Sequence, residues 1–257
     1  DDINLAVEAA QAAFSKWSKT TKSIRANIMY RIADILESRL KEFAEAEVRD
    51  QGKTITFATK VDIDRSVYNF RYFAGYILHM EEKASFIVDG RAFSYVKKTP
   101  PGVAGLISPV SRTASGLKIY STASMYLKKV SLELGGKNAN IIFEDCDFEK
   151  AVATSIKSSF SNQGEICLCG SRIFVQSSIY QKFLDAFVPK ARNMIVGDPN
   201  DPKTEVGALV SQSHMEKVLG YIELAKQEGG VIECGGGRKH LQGELRDGYF
   251  VEPTVIT

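Results

Sequence analysis

Only four cysteines and three histidines occur among 257 residues. Cys146, Cys167, Cys169 and Cys234 are too sparse for a disulfide framework. The opening Asp1-Asp2-Ile3-Asn4 is acidic and polar and does not read as a secretory leader, so a reducing, cytoplasmic setting is expected. His79, His214 and His240 lie far apart and form no HExxH. Cys167 and Cys169 make a C-x-C without a second ligand pair nearby, so no metal site is expected. An excess of one charge is also missing: Lys+Arg 33 against Asp+Glu 31 leaves a net +2. That balance argues against a protein that coats nucleic acid. No apolar run approaches the roughly 20 residues that cross a bilayer, so no membrane partner is expected. No internal repeat is visible. What remains is a globular mix, 44% hydrophobic and 25% charged, long enough to bury a sizeable core.

The first eighty residues carry helical periodicity. Val7, Ala10, Phe14 and Trp17 share one face. Ile24, Ile28, Ile32, Ile35, Leu36, Leu40 and Phe43 continue the pattern toward Gly52, a helix-stop residue, and Ile63, Val67, Phe70, Ala74 and Ile77 form a third stripe. Such stripes predict core packing. After His79 the period changes. Phe86-Ile87-Val88 and Phe93-Ser94-Tyr95-Val96 flank Asp89-Gly90, a hairpin signal. Pro100-Pro101-Gly102 breaks the chain, and Val103 to Ser108 reads as a short buried strand stopped by Pro109. Val110 to Met125 has no clear period. Strands are then expected at Val130–Leu134, Asn140–Phe143, Arg172–Val175 and Val231–Cys234. Helices are expected over Phe148–Phe160 behind an Asp145 or Asp147 cap, Tyr180–Met194 and His214–Glu228. The alternation predicts an α/β fold with a largely parallel sheet.

Two segments carry candidate chemistry. In Leu132-Glu133-Leu134-Gly135-Gly136-Lys137 a carboxylate closes a strand before two glycines, which let a second backbone or a ligand approach. Desolvation between the leucines would raise its pKa and make Glu133 a general base near neutrality. The competing reading is a carboxylate on the solvent face of a strand. In Asn162 to Arg172 a helix-to-strand loop presents Cys167, with free backbone N–H groups able to hold an oxyanion; the competing reading is an inert buried thiol.

Together the two segments resemble the aldehyde dehydrogenase superfamily. Leu132 to Asn138 is similar to its glutamate signature and Phe160 to Cys167 to its cysteine signature, 34 residues apart (167 less 133). The resemblance extends over Asp50-Gln51-Gly52-Lys53, Pro101 to Gly105, and Gly248 to Thr254. Gly164 to Cys169 and Asp62 to Ser66 look most like a semialdehyde branch of the family. The resemblance implies an NAD(P)-dependent oxidoreductase acting on a small-molecule aldehyde or semialdehyde. Cys167 would attack the carbonyl to give a thiohemiacetal, its backbone N–H and one side-chain amide would hold the oxyanion, and hydride transfer to NAD would leave a thioester. Glu133 would activate the water that releases the acid. Cys169 would be a spectator or resolving thiol. Arg65 matches the branch's arginine and would pair with a substrate carboxylate; the alternative is a surface arginine. A homo-oligomer is the family's habit.

The chain also departs from that pattern. After Ile107-Ser108-Pro109 the family's Trp-Asn is replaced by Val110-Ser111-Arg112, which removes the side-chain oxyanion donor. One such donor is worth about 3 kcal/mol, or 10²–10³ in rate. The Lys-Pro-x-Glu segment and the Gly-Ser-Thr turn of the cofactor cradle have no counterpart. Gly235-Gly236-Gly237 is no substitute, because it precedes a basic loop instead of sitting in a β-turn-α unit. The chain ends at Thr257, before the family's closing segments, and is expected to be a partial sequence, a shortened product or a degenerate paralogue. The expected organisation is a partial aldehyde dehydrogenase-like fold. Residues 1–84 and 101–133 would be a remnant Rossmann-type cofactor domain, 85–100 a bridging and oligomerisation hairpin, and 134–257 most of an α/β catalytic domain. A cofactor-free thiol esterase and a non-catalytic paralogue acting through protein contacts are the alternatives.

Overall fold

Helix caps set much of the local structure. The side chains of Thr21, Asp147 and Ser211 each accept the backbone N–H three residues on, opening three helices. The computed structural model describes residues 2–87, 89–106 and 113–257. In chain order the elements are α1 (Asp2–Trp17), α2 (Lys22–Ser38), α3 (Leu40–Gln51), α4 (Ile55–Phe57, continuing into a π-helical turn, Ala58–Ile63), α5 (Asp64–His79), β1 (Ala84–Ile87) and β2 (Ala92–Tyr95). They continue with α6 (Thr113–Ser124), β3 (Ala139–Ile142), α7 (Phe148–Phe160), β4 (Arg172–Val175), α8 (Tyr180–Arg192), α9 (Gln212–Gln227), β5 (Ile232–Cys234) and β6 (Val255–Ile256).

The chain divides into two units. The first comprises residues 1–40 and 63–107. In it α2 packs along α5, and the buried residues of this pair are mostly small: Ala26 and Ala33 on α2, Val67 and Ala74 on α5, with Ile63 just before it. Small side chains let the helix axes approach closely. Arg71 spans the pair with bonds of 2.6 Å to Glu37 and 3.0 Å to Asp34, and this contact holds the Glu37 carboxyl below its ordinary range. The isoleucine stripe expected to be core is exposed instead, at Ile24, Ile28, Ile32 and Ile35. No residue of α1 is buried; Ala10, Phe14 and Trp17 line a cavity of about 230 Å³ with Gly102, Val103 and Ala104. The periodicity marks the apolar face, and among the described residues nothing covers it. The Asp89-Gly90 turn takes left-handed angles at both residues (φ 50° and 79°), and β1 pairs antiparallel with β2 around it.

The second unit comprises residues 41–62 and 108–257. Its core gathers Ile142, Val152, Phe183, Phe187, Val188, Ala191 and Cys234, with Phe183 stacked on Phe187 at 5.3 Å. β3 and β4 pair in parallel, Ala139 opposite Arg172 through Ile142 opposite Val175, and α7 and α8 pack beside them. β5 pairs antiparallel with β6. The largely parallel sheet expected from the alternation is therefore a single parallel pair among the described residues. Two expected strands do not form. Val103 to Leu106 is exposed and irregular rather than a buried strand, while Ile107 to Arg112 lies outside the described residues. Val130 to Leu134 keeps an in–out alternation but has no ladder partner among the described residues. The unassigned stretch before it forms α6.

Gly52 ends α3 with φ +80°, and its carbonyl accepts the Ala208 N–H at 2.9 Å. A Cβ at Gly207 would fall on that same carbonyl oxygen. Ala33, fully buried between α2 and α5, leaves no room for a larger side chain. Ala33→Leu should lower unfolding free energy by about 1–3 kcal/mol in urea melts. Ile24→Ala on the exposed stripe should stay within about 0.5 kcal/mol of the parent.

Candidate active site

The loop that carries Cys167 is shaped by its own backbone. α7 ends at Phe160, and Asn162, Gln163 and Gly164 then take successive left-handed conformations (φ 50°, 56° and 78°). For the two residues bearing a Cβ this costs about 1–2 kcal/mol each, so the surroundings must impose it. They do so by direct bonds. The Gly170 N–H donates to the Ser158 carbonyl at 3.2 Å and to Ser158 Oγ at 3.1 Å, and Ser159 Oγ donates back to the Gly170 carbonyl at 3.2 Å. The loop thus closes on the last turn of α7. Gln163 Nε2 ties it to the Ala208 carbonyl at 3.1 Å. Two side-chain oxygens of the turn, Asn162 Oδ1 and Gln163 Oε1, are buried without a hydrogen-bond partner among the described residues.

Cys167 is exposed. Its carbonyl accepts Asn138 Nδ2 at 2.7 Å, and the same amide reaches the Cys169 carbonyl at 3.3 Å. The Cys167 backbone N–H donates to no backbone or side-chain acceptor among the described residues, which leaves it available to an incoming oxygen. Cys169 is buried, and burial raises its thiol pKa.

Glu133 sits on the segment that meets this loop. Leu132 and Leu134 turn toward Gly116 of α6, where an added Cβ would lie 2.8 Å from a Leu134 methyl. Glu133, between them, faces the other way and is exposed. The burial expected between the leucines is not present, because no strand among the described residues lies beside this segment to cover it. Gly136 approaches the Cys167 carbonyl so closely that a Cβ there would stand 3.0 Å from the oxygen. Lys137 and Asn138 offer carbonyls to Arg172, to Nε at 2.9 Å and to the backbone N–H at 3.2 Å. The glutamate segment and the cysteine loop are therefore laid edge to edge within one unit. Arg65 belongs to the other unit, exposed in the first turn of α5 with its guanidinium 5.3 Å from the Tyr68 ring centre. The position expected to lack the oxyanion amide lies within residues 107–112, outside the described residues.

A second polar group went unrecognised in the sequence. Glu165, two residues before Cys167, has a side chain only 16% exposed, with Oε1 3.3 Å from His214 Nε2 and 3.4 Å from the Val210 N–H. Burial pushes its carboxyl up to about 7, tempered by the Val210 N–H and by the charge of Lys53. Lys53 is itself buried between Glu47 and Asp62, 2.8 Å from each; burial pulls its pKa down, but the two carboxylates overcome that and raise it. Lys53 and Glu165 both stand inside motifs noted above, but nothing in their sequence positions shows that they meet.

A dinucleotide needs a strand, a glycine turn and a helix N-terminus in succession. The described residues do not supply that cradle. Gly235 is engaged in packing, since a Cβ there would strike the Pro253 carbonyl, and the Gly236 N–H is taken by Thr254 Oγ1. Nor do the described residues contain a cluster able to hold a metal ion, or a helix long and apolar enough to cross a membrane.

The chain is similar to known proteins along its whole length. The aldehyde dehydrogenase family matches residues 1–110 and 110–257, in two pieces that meet at residue 110. The 2-aminomuconic semialdehyde dehydrogenase of Danio rerio is 37% identical over 335 residues, covering 100% of this chain and 69% of the relative. Because 257 residues are spread over 335 positions, about 78 positions (335 less 257) have no counterpart here. The 5-carboxymethyl-2-hydroxymuconate semialdehyde dehydrogenase of Escherichia coli is 33% identical, over 99% of this chain and 70% of the relative. Among solved structures, PnpE in complex with nicotinamide adenine dinucleotide superposes with a TM-score of 0.90 at 28% identity, covering 99% of this chain and 68% of that one. With both signature segments in place and the match running through the whole sequence, the chain belongs to the aldehyde dehydrogenase family.

Proposed function

We propose that this chain performs aldehyde dehydrogenase chemistry, oxidising an aldehyde or semialdehyde to the carboxylic acid through a covalent intermediate on Cys167, with NAD as the family's hydride acceptor. The observation that carries the reading is the edge-to-edge placement of the Glu133 segment and the Cys167 loop, joined by Asn138. Cys167 is the nucleophile: its sulfur bonds to the carbonyl carbon as the carbonyl π pair moves to oxygen. The Cys167 N–H receives that oxyanion. Loss of that carbon's hydride to the acceptor leaves a thioester; the exposed Glu133 then takes a proton from the water that adds to the acyl carbon as the thiolate leaves. The described residues form no dinucleotide cradle, so the contribution of this chain's own residues is nucleophile, oxyanion donor and base.

Arg65 is the candidate partner for a substrate carboxylate. The relatives named above are dehydrogenases of acid semialdehydes, and an exposed guanidinium stacked on a tyrosine is preset for a planar anion. In this reading residues 1–84 and 101–133 are the remnant cofactor domain, 85–100 the bridging hairpin used in a homo-oligomer, and 134–257 the catalytic domain. The setting is cytoplasmic. Phe86, Phe93 and Tyr95 of the hairpin are exposed, as an oligomer contact requires.

Two assays on the purified chain test this. One follows NADH absorbance with an aldehyde, the other hydrolysis of an activated ester. Cys167→Ala should reduce both to background. Glu133→Gln should retain an acylation burst and slow the following deacylation by about 10²–10⁴. Absence of any Cys167-dependent acylation in either assay would defeat the proposal. Separately, Arg65→Ala should raise KM for a carboxylate-bearing aldehyde by about 10–100-fold, the worth of one charged hydrogen bond, and leave KM for a neutral aldehyde unchanged. Equal effects on both aldehydes would remove Arg65 from the substrate site.

A further inference from the structure

The Cys167 loop is anchored on one side by Asn138 and on the other by Glu165. The second anchor is unlike the first, because it can change charge. Glu165 Oε1 accepts the Val210 N–H at 3.4 Å and lies 3.3 Å from His214 Nε2, so one carboxylate oxygen joins the loop to the 208–211 stretch and sets it against α9. That stretch is held in turn by Gly52, whose carbonyl binds the Ala208 N–H at 2.9 Å, and by Gln163 Nε2 on the Ala208 carbonyl. Gly52 is followed by Lys53, the cation that faces Glu165.

We propose that Glu165 is a positioning residue for the nucleophile: as a carboxylate it clamps the Cys167 loop to Val210 and His214, and on protonation it loosens that clamp. The assignment rests on Cys167 being the nucleophile, as read above. The charged and titratable groups facing Glu165 are His214 from α9 and Lys53 from the segment after α3. Behind Lys53 stand Glu47 of α3 and Asp62 of the π-helical turn. A carboxylate oxygen is a stronger acceptor than a protonated carboxyl and carries the charge that faces His214, so the Val210 bond and the His214 contact weaken together when the proton arrives. The change falls in the working range because burial has moved the Glu165 carboxyl up to about 7. The sign for stability follows from the same shift. Between the ordinary value of 4.5 and about 7 the folded chain keeps a proton that the unfolded chain has released, so stability declines as pH rises through that window and is level above it. The substitution Glu165→Gln keeps an acceptor oxygen and abolishes the titration.

The test is the rate of Cys167 alkylation by iodoacetamide from pH 5.5 to 9, assigned to residue 167 by mass spectrometry, for the wild type, Glu165→Gln and Glu165→Ala. The wild type should show a break near pH 7 that departs about three-fold or more from a single thiol titration line. Glu165→Gln should follow one titration line throughout, and the wild type should lose stability relative to it from pH 5 to 7. Amide exchange at Val210 should be at least about ten-fold faster in Glu165→Ala than in Glu165→Gln, a rescue by the retained acceptor. Parallel alkylation lines for wild type and Glu165→Gln overturn the proposal. If Glu165→Gln does not melt cooperatively, His214→Gln replaces it: a shifted break supports the clamp and an unmoved one rejects it. Turnover assays on the same wild-type sample separate the two readings. A break in alkylation without NADH or ester product keeps Glu165 as the clamp and removes the catalytic reading; turnover with parallel lines does the reverse.

Discussion

The side-chain amide of Asn138 holds the carbonyl oxygens of both Cys167 and Cys169, and the geometry of the site follows from that contact. It continues the β3–β4 ladder one step beyond the last paired residues, into a loop that could not otherwise be part of a sheet. Because Asn138 is fixed by the start of β3, the segment before it has little freedom, and Gly136 lies against the Cys167 carbonyl as a result. The placement of the two segments is an extension of backbone pairing. Among the described residues neither the Glu133 nor the Cys167 side chain makes a hydrogen bond; each is placed by neighbours whose bonds are made by main chain or by one amide.

How much of this could be read in advance depended on the range of the interaction involved. The hairpin at Asp89-Gly90 and the Asp147 cap were legible because each is decided within a few residues, by left-handed backbone angles in one case and by an acceptor three positions before an N–H in the other. The isoleucine stripe of α2 was legible as a stripe and misleading as a core, since Ala26 and Ala33 are the residues that pack and the isoleucines remain exposed. An amphipathic face persists in a sequence whether or not its cover does. Glu133 shows the same thing on a smaller scale: the alternation correctly sent its leucines inward, and its expected burial failed for want of an adjacent strand.

The polar network was the least legible part. Glu165, Lys53 and His214 sit in different elements, and each has an ordinary local explanation: a loop carboxylate, a lysine after a helix-stop glycine, a histidine in the first turn of α9. Their meeting is a property of the folded second unit. Burial of Glu165 and of Lys53 is tolerated because each faces groups of opposite charge or hydrogen-bonding capacity. The outcome is a Cys167 loop held from two sides, by the Asn138 amide and by the Glu165 carboxyl.

The seam between Gly52 and the Gly207–Ala208 peptide has a consequence for how the chain acquires its structure. Residues 41–62 belong to the second unit, and they are stitched there by bonds such as Ile55 N–H to the Pro199 carbonyl and Thr56 Oγ1 to the Pro202 carbonyl, partners 146 residues apart in the latter case. During synthesis that early stretch emerges long before the residues that receive it. Its bonds to Pro199, Pro202 and Ala208 must wait until those residues have left the ribosome. Closing so large a loop is slow compared with forming a helix or a hairpin, so the last event in maturation of the second unit is the docking of one of its first-made parts.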